Sequence, residues 1–135
     1  MMTIRHGIDL VECARVAEVL HRHPQRFTAR VLTASERERA ASFRNPVPFI
    51  AGRWAAKEAI LKMLGTGWRG KIAWTDIEIL PDSAGQPRVT LRAETQRIAA
   101  SLGISNVTLS ITHTEHYAAA SAIGLVHAPP AGEPS

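Results

Sequence analysis

The sequence predicts an α+β fold: one small domain in which a hairpin-paired sheet packs against a long central helix. Three observations carry that expectation. The run from Phe49 to Leu64 is apolar on nearly every side and is bounded by Pro46 and Pro48 before it and Gly65-Thr66-Gly67 after it, so it reads as one buried helix. Ile77-Glu78-Ile79-Leu80 and Arg88-Val89-Thr90-Leu91-Arg92 alternate with a period of two on either side of a turn-forming stretch, Pro81 to Pro87. Two further apolar runs, Val107 to Thr112 and Tyr117 to Leu125, flank the polar bend His113-Thr114-Glu115-His116. Strands that double back through short turns pair antiparallel, and the remaining helices are expected to group against one sheet face.

The elements follow in order. Ile4 to Val11 reads as an N-terminal strand and leads into a helix from about Glu12 to His23, stopped by Pro24. Gln25 to Leu32 reads as a short helical continuation. Thr33-Ala34-Ser35-Glu36 has the Thr-then-Glu spacing of a helix start, running on to about Phe43. Asn45-Pro46-Val47-Pro48 breaks the chain and launches the central helix. After the first hairpin a helix is expected from Ala93 to Leu102, broken at Gly103 and followed by the last two strands. Residues 1–127 form the expected domain; the tail 128–135, rich in Pro and small residues, is expected to be flexible.

With 135 residues, 45% of them hydrophobic, the chain has material for one core and not for two. No stretch approaches a membrane span and the start lacks the basic-then-apolar pattern of a secretory signal, so a soluble, cytoplasmic protein is expected. The single Cys13 excludes an intramolecular disulfide and reads as a small hydrophobe.

The central helix carries four ionic residues, Arg53, Lys57, Glu58 and Lys62, and burial makes unpaired charge costly there. Glu58 and Lys62 lie four apart on one stripe and Arg53 and Lys57 on another read as adjacent, so a carboxylate and several cations are expected to converge near one edge, a layout suited to a metal with a polyphosphate. The plainer alternative is an (i, i+4) pair between Glu58 and Lys62, with Arg53 and Lys57 reaching out to water. Asp9 stands inside an apolar strand, where Asp is disfavoured, and also needs a cation. Two carboxylates from separate elements, with few other oxygen ligands, point to Mg²⁺, which keeps several waters and shares its shell with substrate phosphates. Zinc fits poorly, since Cys13 and the six His residues show no ligand spacing.

Gly7-Ile8-Asp9-Leu10-Val11-Glu12, Phe49 through Gly67, and Ser110-Ile111-Thr112-His113-Thr114 resemble the three signature segments of the holo-acyl-carrier-protein synthase family, the small bacterial 4′-phosphopantetheinyl transferases. The similarity runs from about Ile4 to Leu125, and its most specific part is Arg-Trp-Ala-Ala-Lys-Glu followed by Lys62 and Gly-Thr-Gly. It implies the 4′-phosphopantetheinyl transferase fold and Mg²⁺-dependent transfer of the 4′-phosphopantetheine arm of coenzyme A to a serine of apo-acyl carrier protein in fatty acid biosynthesis, releasing adenosine 3′,5′-bisphosphate. Asp9 and Glu58 are then the metal ligands and, with Lys62, the catalytic residues. Lys62 reads as a charge-stabilising group on the pyrophosphate, with a role as base the alternative. Arg53, with its planar fork, is expected to meet the nucleotide phosphates, and Lys57 is either a phosphate ligand or a structural ion-pair partner. Gly65, the Gln86-Pro87 turn, His113 and Thr114 complete the expected coenzyme A contacts. The resemblance also implies a homotrimer with active sites at subunit boundaries.

The net charge of +4 is uneven: from Glu12 to Arg44 seven Arg face four Glu. Such a region is a solvated helix face, a nucleic-acid surface or a dock for an acidic protein. The resemblance favours the third, an acidic acyl carrier protein docked by Arg15, Arg22 and Arg26. Carrier domains of polyketide or peptide synthases are an alternative acceptor. A non-catalytic nucleic-acid-binding module is the alternative from another class, but only Phe27 and Phe43 lie between Arg15 and Arg44 for base stacking. Neither nucleic acid nor membrane is an expected partner.

Overall fold

The computed structural model describes residues 2–67 and 71–127. The elements are β1 (Met2–Glu12), α1 (Cys13–Arg22), α2 (Pro24–Val31), α3 (Ala34–Ala40), α4 (Val47–Leu64), a 3₁₀ turn (Trp74–Asp76), β2 (Ile77–Pro81), β3 (Pro87–Leu91), α5 (Ala93–Ser101), β4 (Ile104–His113) and β5 (Tyr117–His127). The architecture is the α+β arrangement read from the sequence. The expected tail, 128–135, lies outside the described residues.

Both expected hairpins form. β2 pairs with β3 from Ile77↔Leu91 to Pro81↔Pro87, and β4 pairs with β5 up to His113↔Ala118. The first strand closes the larger sheet: β1 runs antiparallel to β5 along its whole length, from Met2↔His127 to Glu12↔Tyr117, giving the order β1-β5-β4.

Helix α4 lies across one face of that sheet, with α1 also packed on it. Its proline-containing first turn needs no intrahelical N–H there, and its end is Gly65 at φ 82°, whose N–H reaches the carbonyls of Leu61 and Lys62. Small residues let the backbones approach. A Cβ on Gly7 of β1 would stand 2.0 Å from the Ala59 carbonyl oxygen, so only glycine fits at this crossing. Ala51, Ala55, Ala56 and Ala59 are fully buried along the helix.

Among the described residues no element covers the opposite face of the sheet. Met2, Ile4, Ile8 and Leu10 alternate onto it and are 56–64% exposed. Their β5 partners on that face include Leu125 and Ala119.

Several boundaries differ from the sequence reading. Pro24 is the first residue of α2 and not merely the stop of α1, a position where its missing N–H is harmless. Helix α3 does form the expected capping box between Thr33 and Glu36, but it ends at Ala40 and not near Phe43. The turn at Trp74–Asp76 went unread because its one helical turn carries no periodicity.

Candidate active site

Alternation along β1 puts Arg5, Gly7 and Asp9 on the face that meets α4. Asp9 Oδ1 accepts a hydrogen bond from Lys62 Nζ at 3.0 Å, and the same ammonium donates to the Ile8 carbonyl at 3.1 Å. The Asp9 side chain is 16% exposed and that of Lys62 53%, so the acid is the sheltered member of a pair at the rim. Glu58 lies one helical turn before Lys62. Burial holds the Glu58 carboxyl above its ordinary value, the Asp9 carboxylate pushes it further up, and Lys62 and the Trp54 indole act in the opposite sense. The Lys62 ammonium is thus ion-paired with Asp9 and acts on Glu58 only through its field. The Trp54 Nε1 is shielded and completes no hydrogen bond of full geometry among the described residues, while its ring packs edge-on against Phe27 of α2 at 5.4 Å between centroids.

Asp9 and Glu58 fit a hard divalent cation. They supply carboxylate oxygens from two elements, and their mutual repulsion is what such a cation would relieve. The described residues gather no group of three or more His, Cys, Asp or Glu that could hold a metal ion.

A second group of residues lines a cavity of about 370 Å³ between α4, the β2–β3 turn and β4, with Arg53, Gln86, Pro87, Ser110 and His113 on its walls. Arg53 Nε donates to the Ile79 carbonyl at 3.2 Å, and its guanidinium stacks 4.4 Å from the Phe49 ring centroid. Burial lowers its pKa, and Glu36 opposes that shift. The turn is built by Asp82, whose Oδ1 accepts from the Ala84 and Gln86 backbone N–H groups and whose Oδ2 accepts from Arg88 Nε, all at 2.9 Å. These bonds, Gln86 first, hold the Asp82 carboxyl below its usual range.

Of the other residues expected at the cofactor, Gly65 caps α4 beside Arg5, whose Nη2 stands 2.7 Å from where a Cβ would be. Thr114 is not on the cavity wall. It closes the β4–β5 turn, donating to the Tyr117 carbonyl and accepting from its N–H.

Two expectations are corrected. Lys57 does not reach a phosphate: it is fully buried, and Nζ donates to Val31 O at 2.6 Å, Glu36 Oε1 at 2.7 Å and Trp74 O at 3.1 Å, which uses all three protons. It takes the structural ion-pair alternative. Nor do the four ionic residues of α4 converge on one edge of the helix. At 3.6 residues per turn, Lys62 lies about 180° around the helix from Arg53, and Glu58 about 140°. Arg53 and Lys57 serve the hairpin side while Glu58 and Lys62 serve β1.

Arg15 and Arg22 on α1 and Arg26 on α2 are exposed, as a docking face requires. Of the two aromatics in the basic region, Phe27 is buried and Phe43 stacks on Phe49. Sequence reading missed Glu36, Trp54 and Arg5, whose Nε donates to the Met63 carbonyl at 2.8 Å. For Glu36 a signal existed, since a buried Lys57 demands an acid, but nothing in the spacing selected which one.

The model of the 4′-phosphopantetheinyl transferase superfamily matches residues 5–122. A holo-[acyl-carrier-protein] synthase of Caldanaerobacter subterraneus subsp. tengcongensis is 42% identical over 124 residues, covering 92% of this chain and 96% of its own. The crystal structure of the corresponding synthase of Neisseria meningitidis superposes with a TM-score of 0.82 at 32% identity, over 89% of this chain and 96% of that one. The Helicobacter pylori synthase, solved in complex with coenzyme A, gives 0.77 at 28% identity, over 88% and 98%.

The raised carboxyl of Glu58 makes a prediction about stability. A carboxyl whose folded pKa exceeds its unfolded value adds stability only while protonated, and that contribution is lost as pH rises through the folded pKa. Glu58→Gln should therefore stabilise the chelator-treated protein at pH 7. The gain should fade as pH falls below the ordinary glutamate value of 4.5. Urea denaturation at the two pH values checks it; an equal or negative effect at pH 7 would refute the assignment.

Proposed function

The chain belongs to the 4′-phosphopantetheinyl transferase superfamily and is an enzyme of that class, and on this premise we propose that it transfers the 4′-phosphopantetheine arm of coenzyme A to a serine of apo-acyl carrier protein. The products are holo-acyl carrier protein and adenosine 3′,5′-bisphosphate, and the carrier is that of fatty acid synthesis. The observation that carries this reading is the Asp9–Lys62 ion pair beside Glu58, whose carboxyl feels the charge of both.

The chemistry requires a neutral hydroxyl to attack a phosphorus shielded by anionic oxygens. Asp9 and Glu58 would hold Mg²⁺, which when bound neutralises the pyrophosphate and aligns its oxygens. Glu58 accepts the proton as the serine oxygen bonds to the phosphorus that carries pantetheine. The bond from that phosphorus to the bridging oxygen breaks, and Lys62 stabilises the charge left on the departing nucleotide. Arg53, Gln86, Pro87 and His113 hold the nucleotide end in the cavity on the hairpin side of α4, with Gly65 and Thr114 flanking the path of the cofactor. A cytoplasmic setting fits the single free, buried thiol of Cys13.

The family resemblance implies a homotrimer, and the placement of these groups on opposite sides of the central helix supports a reading in which the nucleotide cavity of one chain faces Asp9 and Glu58 of the next. The apolar stripe Met2, Ile4, Ile8 and Leu10 is the surface suited to that assembly. Arg15, Arg22 and Arg26 form the dock for the acidic carrier protein.

Mixing the protein with coenzyme A, Mg²⁺ and apo-carrier protein should raise the carrier's intact mass by one phosphopantetheine unit. Asp9→Ala and Glu58→Ala should each lower that rate at least about a hundredfold, and chelation should do the same. Near-normal transfer by either variant at low Mg²⁺ would overturn the metal assignment.

Light scattering at micromolar concentration should report three chains, and Ile4→Lys should shift the population towards monomer. A monomeric wild type that turns over normally would sink the shared-site model.

Reversing Arg15 and Arg22 to Glu should raise the KM for the carrier protein at least about tenfold while leaving that for coenzyme A within about twofold. The Arg22–Glu18 pair lost in this variant is exposed and contributes little to folding. Added salt should weaken the wild type more than the variant. Matching carrier KM and salt response in the two proteins would mean that the basic face is only solvated.

A further inference from the structure

The buried ion pair between Glu36 and Lys57 ends at a residue of the nucleotide cavity. Glu36 is fully buried, and each of its oxygens is used. Oε1 accepts from Lys57 Nζ at 2.7 Å and from the Thr33 N–H at 2.8 Å, while Oε2 accepts from the Ile79 N–H at 2.8 Å. The carbonyl of that same Ile79 accepts from Arg53 Nε at 3.2 Å. Among the described residues strand β2 belongs to a two-stranded sheet, so one of its edges has no strand partner there. In an antiparallel pair a residue's N–H and C=O point to the same side, and both groups of Ile79 point to that outer edge. They are taken by side chains from α3 and α4.

We propose that Glu36 is a positioning residue for nucleotide binding: by fixing the Ile79 N–H it sets the carbonyl that aims the Arg53 guanidinium into the cavity. The inference rests on the reading above in which Arg53 meets the nucleotide phosphates. Two further bonds stiffen the arrangement. Lys57 carries the pair to the Val31 carbonyl at the end of α2 and to the Trp74 carbonyl before β2. Thr33 Oγ1 donates to Glu78 Oε2 at 2.6 Å, tying the cap of α3 to the strand one residue before Ile79. Phe49 covers the guanidinium from its other side. Arg53 therefore has its stem on one helix, its Nε on β2 and its plane on an aromatic ring, which leaves its terminal nitrogens as the groups free to fork onto an anion.

Glu36→Gln tests this directly. An amide retains one oxygen, so either the Ile79 N–H or the Lys57–Thr33 side of the carboxylate meets an NH₂ instead of an acceptor. Binding of coenzyme A in Mg²⁺ buffer, measured by titration calorimetry, should weaken about tenfold, with carrier-protein affinity within about twofold of wild type. Arg53→Ala should weaken coenzyme A at least as much, and E36Q/R53A should bind no more weakly than R53A alone, because the two act through one contact. Glu36→Met with Lys57→Met keeps volume and removes both buried charges, and serves if E36Q does not fold. It should fold and show the same loss, since the Ile79 N–H still lacks its acceptor. Wild-type coenzyme A affinity in folded E36Q or E36M/K57M, or losses from E36Q and R53A that multiply, would overturn the positioning role. Failure of both variants to fold would assign the pair to stability alone and overturn it too. Unchanged affinity in R53A would instead overturn the reading of the cavity, and this inference with it.

Discussion

An ammonium group without access to water must be surrounded by acceptors before the helix that carries it can be buried, and Lys57 imposes that condition on this molecule. The penalty for desolvating one ion in a protein is several kcal/mol, so a single counter-charge is not enough; geometry and full use of the donors decide whether the pair is tolerated. Here the end of α2, Glu36 in the first turn of α3 and the turn before β2 each supply one acceptor. Burial lowers the Lys57 pKa and the Glu36 carboxylate opposes that shift. Three segments distant in sequence are thereby held around one point on α4, and the hairpin is placed against the helix by polar bonds as much as by Ile77 and Ile79.

The other side of α4 is governed by a different constraint. Its buried face is made of small residues, and β1 crosses it at Gly7 with no room for a methyl group. That closeness brings the next outward step along the strand, Asp9, within reach of Lys62. A larger residue at position 7 would lift β1 away from the helix and separate the two charges, whatever the identity of residues 9 and 62. The site therefore depends on a residue with no functional group.

Local signals explain how much of this was legible in the sequence. Caps and breakers act over three or four residues: Thr33 with Glu36, the prolines before α4, Gly65 after it and Asp82 to Gln86 in the hairpin turn all did what their spacing implied. Pairing over long separations was not legible. The alternation in β1 says that one face is covered, but nothing in it names β5 as the partner. The helical wheel separated Glu58 and Lys62 from Arg53 and Lys57, yet it treated the two stripes as neighbours, because a wheel gives angles and not which side is occupied by what. Glu36 is the clearest loss. Its capping role was evident, and that role alone accounted for the residue, so its second function as the counter-ion of Lys57 left no separate trace.

The angular separation on α4 bears on how the proposed site is completed. A helix buried on most of its circumference can present working side chains only along the lines where its covering elements part. In this chain one such line opens towards the hairpin and carries Arg53, and another opens beside β1 and carries Glu58 and Lys62. Turning α4 about its axis would carry both lines round together and leave the angle between them unchanged, while pulling Lys57 from its three acceptors and Gly7 from Ala59. In the proposed homotrimer the anion clamp of one copy and the carboxylate pair of the next would meet at one substrate. Among the described residues the outer face of β1 is apolar and uncovered, which is a condition that favours association of copies of a small chain.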